Sequence, residues 1–222
     1  MPAIFIQKSP AIGIWKIEES WQEMSESLRI NNNYSRVIEH YLNNIKSDKR
    51  KQEWLAVRLL LAYLAGTEAY IDYLENGAPV LRNSPYNISI SHTTGFAAVI
   101  LSNKEHPGID IEYHSGRALK LCRKYLGAKE LELFDSLRSE KPASFDNHSK
   151  QTKLATICWC AKETAYKALG LTEVDFINHL HILPFTFSCK GTFALQEKKS
   201  PNHEIFNINY QVTEDYIITW KE

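Results

Sequence analysis

Apolar residues alternate with polar ones near the start of the chain, at Ile4 and Ile6 and then at Ile12, Ile14 and Ile17, with Pro10 between the two groups. A period of two puts alternate side chains on one face of a strand. Two short strands joined through Pro10 are therefore predicted to open the fold. After Ser47-Asp48 the period lengthens: KRKQEWLAVRLLLAYLAG carries apolar residues at helical spacing and stops at Gly66. A start signal, a buried face and a stop signal together predict a helix. Short strands are expected at Ala69–Leu74, Pro79–Leu81, Asn87–Ile90 and Phe96–Leu101, separated by Asn-Gly, Asn-Ser-Pro and Thr-Thr-Gly turns.

A second cycle begins at Gly108 with the strand GIDIEY. Helical patterns follow over Arg117–Tyr125, Lys129–Leu137 and Thr152–Leu169. Strands close the chain near Ile182–Ser188, Thr192–Gln196, Ile205–Val212 and Tyr216–Trp220. Each half thus runs from strand to helices to strands, without a residue-level repeat, and the division expected is 1–104 and 105–222. The polar, turn-rich stretch 139–151 reads as a surface loop inside the second half.

Composition narrows the partners. The 222 residues are 44% hydrophobic, enough for a substantial core. Lys plus Arg and Asp plus Glu both number 26, so the chain has no global basic field and nucleic acid is not an expected partner. No run approaches the roughly 18 apolar residues of a membrane span, and the first residues do not form a signal peptide, so a cytoplasmic location and no membrane partner are expected. Cys122, Cys158, Cys160 and Cys189 fit no usual zinc spacing and read as buried reduced thiols.

Three places could carry chemistry. In Gly108-Ile109-Asp110-Ile111-Glu112 the strand period sets both carboxylates on one face and both isoleucines on the other. Two hard oxygen donors side by side suit magnesium, although a half-exposed strand produces the same pattern. On the predicted helix, steps of four align Trp159, Glu163 and Lys167. That pair is either an ordinary helical Glu-to-Lys contact or a further metal carboxylate beside a phosphate-neutralising lysine. Finally, Ser91, His92 and Thr93 cluster where a strand meets a turn, a place that can receive a phosphate or simply cap backbone groups. Arg58 is either a surface arginine or a phosphate clamp.

In this order and spacing, W-L-A-x-R, G-x-P-x-L, S-I-S-H-T, G-I-D-I-E, F/Y-L-x-x-x-E and W-x-x-K-E-x-x-x-K resemble the larger, pseudo-dimeric 4′-phosphopantetheinyl transferases, the surfactin-synthetase-activating type. The match covers roughly residues 46–170, and its specific part is G-I-D-I-E followed about fifty residues later by W-x-x-K-E-x-x-x-K. The resemblance implies an α+β fold of two similar α/β halves packed as a pseudo-dimer. It implies an enzyme that moves 4′-phosphopantetheine from coenzyme A to a serine of an acyl- or peptidyl-carrier protein, releasing 3′,5′-ADP. Magnesium would be bound by Asp110, Glu112 and Glu163, placing most of that site in the C-terminal half. Lys167 would assist the departing nucleotide, and Glu163, directly or through water, would take the serine proton. His92 would contact the 3′-phosphate of coenzyme A, with Arg58 and Ser91 as further candidates for the nucleotide and Lys162 for the cofactor. Glu130 would pair with Lys162, and Trp159 would pack. A chain holding both halves is expected to act as a monomer.

One position departs from the pattern. Where the family commonly has G-K-P, this chain has Gly77-Ala78-Pro79. The missing charge could come from Lys46, Lys49 or Lys104. Two other readings stand beside the transferase: a silent carrier-binding scaffold, and a magnesium enzyme acting on another nucleotide pyrophosphate.

Overall fold

The computed structural model describes residues 3–30, 36–66, 69–139 and 147–222. The chain divides into two compact units, Met1–Pro107 together with Glu222, and Gly108–Lys221.

In the first unit, β1 (Ala3–Lys8) and β2 (Ala11–Lys16) are followed by α1 (Trp21–Ile30), α2 (Arg36–Asn44) and α3 (Asp48–Ala65). Next come the hairpin β3 (Tyr70–Tyr73) and β4 (Pro79–Arg82), then β5 (Asn87–Thr93) and β6 (Phe96–Ser102). The main sheet is antiparallel in the order β1-β2-β6-β5. The α3 helix starts where Ser47 Oγ accepts from the Arg50 backbone N–H, and stops at Gly66, whose φ of 80° few other residues adopt cheaply. Its apolar side, with Leu55, Ala56, Leu59 and Leu60, shares a core with Trp15, Val99 and Leu101 from β2 and β6. A sheet with one face covered by a long helix buries enough apolar area to hold β5 and its turn in place. The helices α1 and α2 add Met24, Leu28 and Leu42 to that core.

The second unit starts with β7 (Gly108–Tyr113), then α4 (Arg117–Leu121) with a short 3-10 turn over Cys122–Lys124, α5 (Ala128–Ser139) and α6 (Asn147–Leu169). Four strands follow: β8 (Leu180–Ile182), β9 (Lys190–Glu197), β10 (Ile205–Val212) and β11 (Tyr216–Lys221). The sheet is antiparallel in the order β7-β11-β10-β9-β8. The α6 helix lies on it through Leu154, Ile157, Ala161, Ala165 and Ala168, small or aliphatic residues that allow close approach. At Gly108 the approach leaves no room for a side chain: a Cβ there would run into the Thr164 carbonyl oxygen. Thr164 Oγ1 also meets Thr219 Oγ1 at 2.6 Å, tying α6 to β11. Among the described residues no helix is long and apolar enough to cross a membrane.

Two expectations change. Of the stretch read as a loop over 139–151, residues 140–146 lie outside the described residues, but Ser139 ends α5 and 147–151 already belong to α6. The strand expected over Ile182–Ser188 is confined to Leu180–Ile182. Leu183 still donates to Ala194 O at 2.9 Å, and Pro184, which has no N–H, then ends the pairing.

Candidate active site

In the second unit β7 and α6 present their polar residues to one another. Asp110 is buried at 5% exposure and Glu112 is half-buried, both on one face of β7, while Ile109 and Ile111 point into the protein. Lys167, in the last turn of α6, donates to Asp110 Oδ1 at 2.8 Å and to the Ile109 carbonyl at 2.9 Å. Glu163 lies one turn earlier. Burial first, and then the charge of Asp110, push its carboxyl up to about 7; Lys167 pulls it down, and Glu112 adds the smallest push. The Cys160 thiol, fully buried, is also pushed up, by burial first and then by Asp110 and Glu112. Three carboxylates thus repel one another across a space that the Lys167 ammonium also faces.

The donor set fits a small hard cation, because carboxylate oxygens are what magnesium takes and their mutual repulsion is what a divalent ion relieves. Among the described residues no three such side chains are yet gathered closely enough to hold an ion as they stand. Asp110, Glu112 and Glu163 would hold it, with Lys167 turning away from Asp110. Trp159 packs edge-on to Tyr125 at 5.2 Å and against Phe176 at 5.7 Å. It also lines a small recess beside Glu112, with Tyr113, Arg117, Leu121 and Thr156.

Lys162 does something else. Its side chain is fully buried, and its ammonium donates to Glu130 Oε2, Tyr125 O and Phe176 O, each at 2.7 Å. Glu130 in turn accepts from the backbone N–H groups of Gly127 and Ile182, both at 2.8 Å. All three ammonium protons are spent inside the unit, so the expectation that Lys162 contacts coenzyme A is corrected: the residue ties α6 to Glu130 of α5, which in turn holds β8 at Ile182. The expected pairing with Glu130 is present.

In the first unit His92 stands at the end of β5 beside the start of α3. Arg50 Nη1 is 3.0 Å from His92 Nε2, and Glu53 Oε2 is 3.5 Å from His92 Nδ1. Lys49 Nζ is 3.5 Å from Thr94 Oγ1. Of the three lysines suggested in place of the family lysine, Lys49 is the one placed here; Lys104 pairs with Glu222 at 3.2 Å, and Lys46 is exposed. Ser91 does not join His92. Neighbours on a strand face opposite ways, and the Ser91 side chain is buried while that of His92 is exposed. Arg58 is also elsewhere. Five positions after Glu53 it points to another side of α3, lying 3.2 Å over the Trp54 ring and donating to Trp54 O. Burial lowers its guanidinium to about 10, partly offset by Tyr73. Neither Ser91 nor Arg58 is thus placed with His92.

Sequence reasoning missed Arg50 and Glu53. The signal existed: Glu53 falls on the stripe 53-56-57-60, whose other members Ala56, Val57 and Leu60 are buried, so a core-facing carboxylate was readable from the helical period.

Comparison with known proteins settles the family. The profile of the 4′-phosphopantetheinyl transferase superfamily matches residues 107–221, the whole of the unit that carries Asp110, Glu112, Glu163 and Lys167. The chain belongs to this superfamily. A Synechocystis sp. protein named "Putative 4′-phosphopantetheinyl transferase" is 28% identical over 133 residues, which cover 54% of this chain and 50% of that protein. The chain therefore spans about half the length of that curated relative in the match.

Proposed function

We propose that this transferase moves 4′-phosphopantetheine from coenzyme A to a serine of an acyl- or peptidyl-carrier protein and releases 3′,5′-ADP. The observation that supports this best is the convergence of Asp110, Glu112 and Glu163 with Lys167, from two elements held together at Gly108. Magnesium bound there would withdraw charge from the coenzyme A pyrophosphate. Glu163, directly or through water, takes the proton of the carrier serine as its oxygen attacks the β-phosphorus. The bond from that phosphorus to the bridging oxygen breaks, and the electron pair leaves with 3′,5′-ADP. Lys167 then neutralises charge growing on the leaving phosphate, an interaction strongest in the transition state. His92 contributes binding of the 3′-phosphate. The protein acts as a monomer in the cytoplasm in this reading.

Intact-mass spectrometry of an apo carrier protein incubated with the transferase, magnesium and coenzyme A tests the proposal. One phosphopantetheine should be gained, and the gain should vanish with Asp110→Ala while circular dichroism is unchanged. Binding of the carrier without modification would favour a scaffold, and nucleotide cleavage without a carrier would favour another pyrophosphate substrate.

A further inference from the structure

Glu53 is a carboxylate on the core side of α3, with only 5% of the residue exposed. Such a group is costly unless charged or hydrogen-bonding partners surround it. Its partners are cationic: Arg50 Nη1 donates to Oε2 at 3.0 Å, and Lys49 Nζ stands 3.8 Å from Oε1. His92 Nδ1 faces the same Oε2. A guanidinium can only donate, so the contact between Arg50 Nη1 and His92 Nε2 makes Nε2 the acceptor and leaves the ring proton on Nδ1, towards Glu53. One buried carboxylate therefore orients an arginine and an imidazole that come from different elements.

The arrangement is directional. The side chains of Lys49 and Arg50 are each 61% exposed and that of His92 is 37% exposed, against 6% for Glu53. An anion arriving from solvent meets the cations and the ring, with the carboxylate behind them. Two positive charges against one negative leave the cluster net positive even with the imidazole neutral. Lys49, also near Thr94, supplies a charge that Ala78 does not.

We infer that Glu53 is a positioning residue, holding Arg50 and His92 ready for the 3′-phosphate of coenzyme A. The inference rests on the proposed reading of His92. Arg50 can turn from Nε2 to a phosphate oxygen, and the freed Nε2 donates to another once it takes up a proton, while Nδ1 stays turned towards Glu53, so the ring does not have to be reoriented when the ligand binds.

Steady-state kinetics with coenzyme A and with 3′-dephospho-coenzyme A, for the wild type, Glu53→Gln, Arg50→Gln and His92→Ala, tests the inference. Glu53→Gln keeps the shape and removes the charge. It should raise KM for coenzyme A about tenfold, the scale of one charge-assisted hydrogen bond, and move KM for the dephospho substrate and kcat far less. Arg50→Gln, which keeps a side-chain amide able to donate to Glu53, should also narrow the preference for the phosphorylated substrate. If Glu53→Gln raises both KM values alike or neither, while His92→Ala abolishes the preference, the inference fails and the reading of His92 stands. An unaltered preference in Arg50→Gln overturns the inference even if Glu53→Gln does not fold. An unaltered preference in His92→Ala overturns both.

Discussion

Two lysines on α6, Lys162 and Lys167, each face a carboxylate at bonding distance, and the two pairs serve different ends. Lys162 and Glu130 form a closed set: 0% and 5% of their side chains are exposed, and every ammonium proton has an acceptor. Lys167 and Asp110 are open. A quarter of the Lys167 side chain is exposed, and Glu163 and Glu112 crowd the same space with further negative charge. A satisfied buried pair fixes geometry, whereas a pair with surplus charge nearby is able to receive a charged substrate. Distance alone, 2.7 Å against 2.8 Å, does not distinguish them.

The largest effect expected from breaking this comparison belongs to the closed pair. Lys162→Met leaves Glu130 buried without its counter-ion, which should cost about 3–5 kcal/mol of stability. Urea unfolding at constant m-value reads this loss directly, and adding Glu130→Gln should return much of it. No loss would mean that Lys162 has no structural role.

An intermediate effect concerns Glu163. Its carboxyl lies at about 7 in the folded protein, against an ordinary 4.5, so between those values the folded state holds more protons than the unfolded state. Stability of the metal-free protein should therefore fall as pH rises through that window and level off above it. The fall is on the order of 2 kcal/mol once partial exposure is allowed for. Glu163→Gln should flatten this profile in thermal unfolding from pH 4.5 to 8, and at saturating substrates should lower kcat by about a hundredfold or more. A variant with an unaltered profile would place Glu163 outside the carboxylate group.

The smallest change in stability is expected for the open pair. Lys167→Met should cost less than Lys162→Met, because a quarter of the Lys167 side chain is already exposed, although Asp110 is left buried without this partner. Transfer in a single turnover should nonetheless fall markedly. Destabilisation as large as that of Lys162→Met would erase the distinction.

Much of this was legible in the sequence because local signals agreed. Ser47, the apolar period and Gly66 bound α3 closely, and the alternation in Gly108–Tyr113 set both β7 carboxylates on one face. Helices α1 and α2 were not anticipated, although Ser20 and Glu23 form a capping box in which Glu23 Oε2 accepts from the Ser20 N–H at 2.8 Å. Residue type likewise left Lys162 and Lys167 equivalent. The helical period put only Lys167 on the Glu163 stripe and the resemblance paired Lys162 with Glu130, but that Tyr125 and Phe176 also take up the Lys162 ammonium depends on distant positions that no local pattern encodes. Ser91 was misplaced for a local reason: strand alternation already opposes it to His92, but the motif presented both as one cluster.

The contact at Gly108 sets a limit on what activity measurements can say about this protein. Because a Cβ there would run into the Thr164 carbonyl oxygen, any side chain at 108 must push β7 and α6 apart, and Asp110 moves with one and Glu163 with the other. A screen that scores only product would rank position 108 beside the carboxylates, although glycine there has no group to offer a substrate. Sensitivity to substitution would in that case report the spacing of two elements, which is a property of the scaffold, as though it were a property of the reaction.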